Sequence, residues 1–185
     1  MSDHKANTVP EHRVTVAEIL GLLVDDGLVL KPDADVLIAE SRLRRQVAHP
    51  LTIIAEQKWK SQLPPHRPLA LDDLTEWFAS KVGLEYYHID PLKIDFTSVT
   101  DVMSSAYATR FGILPVRVTA QEVVVATVEP FLREWEKEIK PLVKKPIRRV
   151  VANPQDVARY LIEFYNLARS VKKATQLGGQ SAGLS

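Results

Sequence analysis

ILPVRVTAQEVVVATV, residues Ile113–Val128, is the stretch that decides the fold class. Two β-rich runs, Ile113 to Val118 and Val123 to Val128, flank Thr119, Ala120, Gln121 and Glu122. That pattern predicts an antiparallel hairpin closed by a four-residue loop. Upstream, Leu84 to Asp90 (LEYYHID) is short, aromatic-rich and stopped by Pro91, which predicts a strand. Val99, Val102, Met103, Ala106 and Tyr107 repeat one helical face that Gly112 closes. Downstream, Phe131, Trp135, Ile139 and Leu142 mark a helix after Pro130, and Ile147 to Ala152 predicts another strand. Asn153 and Pro154 form a cap with proline at the first helical position, and Val157, Tyr160, Leu161, Phe164, Tyr165 and Ala168 continue as a stripe. The order βαββαβα predicts a small mixed sheet covered by helices.

The residues before Leu84 read as helices alone, so the chain as a whole is expected to be α+β. Thr15 and Glu18 have capping-box spacing, in which each side chain satisfies the other's backbone donor. Val16, Ile19, Leu20, Leu23 and Val24 follow on one face, and Gly27 suits the left-handed residue after a helix end. A second helix is expected from Pro32 or Asp33 to just before Pro50, with Val36, Leu37, Ala39, Leu43 and Val47 on its apolar side. A third covers Leu51 to about Lys60. Pro64, Pro65 and Pro68 then predict a stiff connector, and Leu71, Leu74, Thr75, Phe78 and Val82 a fourth helix ended by Gly83. The expected organisation is a flexible tail over 1–12, a helical subdomain over 13–83, an α/β subdomain over 84–168 and a Gly/Ser/Gln-rich flexible linker over 169–185.

Composition narrows the function classes. Of 185 residues 45% are hydrophobic, enough for a core, and 24 basic against 23 acidic residues leave a net charge of +1. Nothing in that balance draws the chain towards nucleic acid or anionic membranes. The absence of cysteine excludes disulfides, thiolate metal sites and thiol nucleophiles. No apolar stretch is long enough to span a bilayer and no signal-peptide pattern opens the chain, so a cytoplasmic protein is expected. With seven glycines there is no G-x-x-x-x-G-K-[ST] loop and no G-x-G-x-x-G. His4, His12, His49, His66 and His88 form no metal-ligand spacing, and His88, inside the first predicted strand, reads as structural. Asp25-Asp26 and Asp72-Asp73 fall at helix ends, where dipoles and capping explain them. The expectation is no catalytic, cofactor or metal residues. Two basic clusters remain: Arg42, Arg44 and Arg45 on the second helix, and Lys144, Lys145, Arg148 and Arg149 around Pro146. The second follows the acidic run Glu134, Glu136, Glu138 and is expected to form a salt-bridged face rather than a nucleic-acid groove.

Several of these motifs occur together elsewhere: Gly83, Leu84, Tyr86, Tyr87, Ile89, Asp90 and Pro91; Phe111, Leu114, Pro115 and Val116; Val123 to Val128 running into Glu129 and Pro130; and Val151, Ala152 and Tyr165. Over roughly Val14 to Ala168 the chain resembles the N-terminal region of type II secretion and type IV pilus assembly ATPases. The resemblance implies a non-catalytic adaptor that precedes its own ATPase core, where ATP and Mg would bind. It also implies docking to an inner-membrane assembly-platform protein on the cytoplasmic face. Arg42, Arg44, Arg45 and Trp59 are the candidate partner contacts, with Trp59 also readable as core packing. Some relatives bind cyclic di-GMP through R-L-G-x-x-L-V-x-x-G. Aligned on Gly27, the arginine and first glycine of that signature fall on Glu18 and Leu20, which argues against the ligand here.

Overall fold

The computed structural model describes residues 9–45 and 47–181, so residues 1–8 of the expected tail and the last four of the expected linker lie outside the described residues. Four helices come first: α1 (Val16–Asp25), α2 (Lys31–Leu43), α3 (Pro50–Glu56) and α4 (Leu71–Val82). They are followed by β1 (Glu85–Tyr86), α5 (Phe96–Thr100), α6 (Ser105–Phe111), β2 (Ile113–Val118), β3 (Val123–Thr127), α7 (Glu134–Val143), β4 (Ile147–Val151) and α8 (Pro154–Ser181). The fold is α+β, as the pattern predicts.

The four strands form one mixed sheet in the order β1-β4-β3-β2. β2 and β3 are the antiparallel hairpin, and β4 runs parallel to both β3 and β1. Every position of β3 is buried, as a central strand covered on both faces requires. Pro115, which has no N–H for a ladder, sits on edge strand β2, where the register shifts between Pro115 and Arg117. On β4 the two-residue period separates two cores. Val150 enters a cluster with Val99, Ile113, Trp135 and Phe164, whereas Val151 enters the helical cluster of Ile19, Leu23, Ile54 and Phe78. The helical half therefore packs on the sheet through α4, which touches β1 and β4.

Local chemistry explains most element ends. The Glu18 amide donates to Thr15 Oγ1 at 3.1 Å, so the N-cap of α1 forms. The capping box is only half made, because the Glu18 carboxylate turns to His12 Nε2 (3.0 Å), whose ring stacks on Phe131. Thr15→Ala is expected to cost about 1 kcal/mol, read as a lower urea midpoint with an unchanged slope. Gly83 and Gly112 end α4 and α6 with φ of 71° and 62°. Asn153 Oδ1 accepts from the Gln155 amide at 2.9 Å and opens α8 at Pro154.

Five expectations are corrected. α2 stops at Leu43 instead of running towards Pro50, because Arg44 is extended (φ −107°, ψ 129°) and Pro50 holds His49 extended as well. Arg44 and Arg45 therefore lie beyond the helix, and Leu43 and Val47 are 88% and 101% exposed instead of buried. The third helix ends at Glu56, short of Lys60. The strand expected over Leu84 to Asp90 contracts to Glu85–Tyr86. The helix expected through Val99 to Tyr107 is two helices, because Ser104 recaps the chain on the Tyr107 amide and the Tyr165 hydroxyl holds the Met103 carbonyl at 2.6 Å. Finally, α8 continues through Ser181 where a loose linker is expected from 169. Good helix formers such as Lys172, Lys173, Ala174 and Leu177 propagate its ladder although this end is exposed.

Candidate functional site

An open cleft of about 1200 Å³ lies between the two halves. One wall comes from the helical half: Arg13 to Ala17 at the entry of α1, the end of α2, Arg44, Arg45, Val47 to His49 and the start of α3. The other comes from Thr109 and Gly112 after α6, Val128 and Glu129 after β3, and the first turns of α8. Arg44 and His49 are both extended, and His49 reaches across to the Val128 carbonyl after β3.

Its floor is two ionisable groups shielded from water, His49 and Glu129, whose side chains are 9% and 7% exposed. His49 Nε2–H donates to the Val128 carbonyl at 2.7 Å, and Nδ1 accepts from the Leu51 amide at 3.2 Å, capping α3. Both bonds suit the neutral ring, and burial lowers the pKa to about 4. At 3.9 Å, Nε2 and Glu129 Oε1 are thus not an ion pair near neutral pH. Glu129 Oε2 accepts from the buried Val14 amide at 2.8 Å. Burial, opposed by that bond, pushes the Glu129 carboxyl above the ordinary carboxylate range. These bonds hold the beginning of α1 and the beginning of α3 against the end of β3.

The rim is basic. Arg13 donates to the Arg110 carbonyl. The side chains of Arg42, Arg44 and Arg45 have no ion-pair or hydrogen-bond partner among the described residues. Ile38, Val47 and Ile53 line the cleft between these charges. Of the four candidate contacts, the structure brings Arg42, Arg44 and Arg45 to one rim. Trp59 lies apart, half-buried against the helical core and beside a smaller hollow of about 120 Å³ with Val29 and Gln62. Arg13, His49 and Glu129 escape sequence reading, since pairs 79 and 115 residues apart have no local signature. The one available signal is His49-Pro50, an extended residue ahead of a helix.

Other titratable clusters are accounted for internally. Arg148 bonds Glu122 and Glu85, Arg149 forms an ion pair with Glu136 across 2.7 Å, and Lys145 donates to the Thr119 carbonyl. The salt-bridged face expected of that cluster is what forms. Asp72, His88 and Asp156 bring ligand-type atoms within 4.8 Å of one another. Both carboxylates sit in first turns, of α4 and α8, where the helix dipole favours negative charge, and Asn153 donates to Asp72 at 2.8 Å. In α1, Glu18 is occupied by His12 and Leu20 is fully buried. No described helix is long and apolar enough to cross a membrane.

Residues 82–171 match the MshEN domain family. The chain carries an MshEN domain. It is 35% identical over 167 residues to the type IV pilus assembly ATPase TfpB of Acinetobacter baylyi, covering 88% of this chain. It spans 28% of that relative's length. The fold is similar to the structure of MshE with cdg, with a TM-score of 0.54 and 13% identity, covering 83% of this chain and 100% of that one. It is also similar to the N-terminal domain of XpsE, with a TM-score of 0.50 and 16% identity, covering 83% and 98%. At these identities the structural likeness concerns the fold, and the MshEN domain includes the whole sheet. The resemblance to the N-terminal regions of secretion and pilus ATPases, drawn from the motifs around the sheet, is borne out.

Proposed function

We propose that this chain is a non-catalytic adaptor region of a type II secretion or type IV pilus assembly ATPase. It holds the motor to an inner-membrane assembly-platform protein at the cytoplasmic face, while ATP and Mg bind in the ATPase core of the same parent. The observation that carries this reading is the open cleft with three unpaired arginines on its rim. Unpaired guanidinium groups beside uncovered apolar walls form a surface for another macromolecule. Similarity to a pilus assembly ATPase, of which the chain spans 28%, supports an auxiliary role next to a separate motor core. Titration of the chain with the cytoplasmic portion of the platform protein is expected to show saturable binding. Arg42→Glu with Arg44→Glu is expected to weaken it at least about tenfold, with loss of a salt-dependent association rate. No binding by the parent chain would remove the reading.

A second reading, sensing of cyclic di-GMP, is favoured by one observation: MshE, whose fold is similar, has a structure with cdg. Glu18 and Leu20 at the signature positions oppose it, because a carboxylate repels a phosphodiester and Leu20 is inaccessible. Calorimetry with cyclic di-GMP is expected to show no heat, and the melting temperature no rise at high ligand. Heat and a raised melting temperature would restore this reading.

A further inference from the structure

The docking reading leaves open what kind of partner surface fills the cleft, and here the lining is informative. We infer that the cleft takes an amphipathic protein segment with carboxylates on one side and aliphatic side chains on the other. The inference rests on the docking reading and adds the chemistry of the occupant.

Charge complementarity is the first argument. Arg42 lies in the last turn of α2, Arg44 follows in extended conformation and Arg45 comes next, and all three line the same rim. They meet no carboxylate among the described residues, although Arg117, Arg148, Arg149 and Arg159 all do. The one acidic side chain left in the lining besides the buried Glu129 is Glu56, which leaves the cleft positive. Apolar exposure is the second argument. Val47, in the lining, is 101% exposed, and Leu43, next to Arg42 and Arg44, is 88% exposed. Basic and exposed aliphatic residues thus share one short stretch. A simple anion would pair the arginines and leave Leu43 and Val47 in water. A purely apolar segment would bury the guanidinium groups without partners, which desolvation strongly disfavours. A segment carrying both satisfies both. Size is the third: about 1200 Å³ exceeds the roughly 300–1,000 Å³ of small-molecule pockets and suits a helix laid in a groove.

The test uses the 185-residue chain and a synthetic amphipathic helical peptide with glutamates on one face and leucines on the other, followed by fluorescence anisotropy. Saturable binding is expected, weakened at least about tenfold when the glutamates become glutamine or the leucines become serine. Arg42→Glu with Arg44→Glu, and separately Val47→Asp, are expected to weaken it similarly. Val47 is fully exposed, so Val47→Asp should leave the urea midpoint unchanged and reports on the groove rather than on folding. No binding, equal binding of the serine peptide, or binding indifferent to both variants would overturn the inference. Heat from cyclic di-GMP with none from the peptide would overturn it too. If the platform portion binds and the peptide does not compete, the groove assignment fails while docking stands. If the peptide binds as described and the platform portion does not, the groove stands and the choice of partner fails.

Discussion

Acidification from about pH 7 to about pH 4 is expected to cost the fold about 3 kcal/mol through His49 alone. The unfolded imidazole titrates near 6.5, while burial against the Val128 carbonyl and the Leu51 amide lowers the native value to about 4. Between those values the unfolded chain binds a proton that the native chain refuses, so stability rises with pH across the window. It is complete above about 6.5 and lost as pH falls towards about 4. Glu129 and His12 act in the opposite sense, since their native values are raised, by burial for the first and by the Pro10 carbonyl and Glu18 for the second. The His49 contribution is therefore isolated by difference. His49→Asn keeps an acceptor for the Leu51 amide and removes the titration. Urea melts of parent and variant at both ends of the window should show a gap that favours the parent at about pH 7 and narrows by about 3 kcal/mol at about pH 4. A gap independent of pH would assign the acid sensitivity to other groups.

Gly112→Ala is the second large effect expected, at about 3 kcal/mol of lost stability. The residue closes α6 at φ 62°, in the left-handed region, which costs a side-chain-bearing residue about 1–2 kcal/mol. An added Cβ would also lie 2.8 Å from Val128 Cγ2 and 3.4 Å from Glu129 Cγ. Neither neighbour can retreat freely, since the Val128 amide donates to the Gly112 carbonyl and Glu129 is tied to Val14. Overpacking of this kind adds about 1–3 kcal/mol. Gly83→Ala is the control: φ is 71°, yet nothing beyond its own stretch of chain lies within 4 Å of the added carbon. The control should lose only the backbone share. Equal losses at both glycines would show that the chain after β3 yields at Val128 and that the junction is softer than its contacts imply.

Features written in neighbouring residues were legible in the sequence. The hairpin, the Thr15 cap, the glycine ends of α4 and α6 and the Asn153-Pro154 start of α8 each depend on a few adjacent positions. What escaped depends on distance. Leu43 and Val47 carry the right periodicity for a longer α2, but periodicity is silent about whether a surface waits to bury them. The break at Ser104 is held by Tyr165, 62 residues away from the carbonyl it grips. The arginine side of the cleft could be proposed from local clustering alone. Its opposite wall and its His49–Glu129 floor are assembled by tertiary packing, and no short stretch announces them.

The two borders of the sheet bear on how this protein behaves beside copies of itself. A border strand with a free row of amides and carbonyls invites another chain to add on and start a stack. Here one border is the two-residue β1, too short to template anything. The other is β2, where Pro115 removes an amide and the irregular register at Arg117 bends the row out of line. Among the described strands, neither border therefore offers a long regular row on which crowded copies could zip their sheets together.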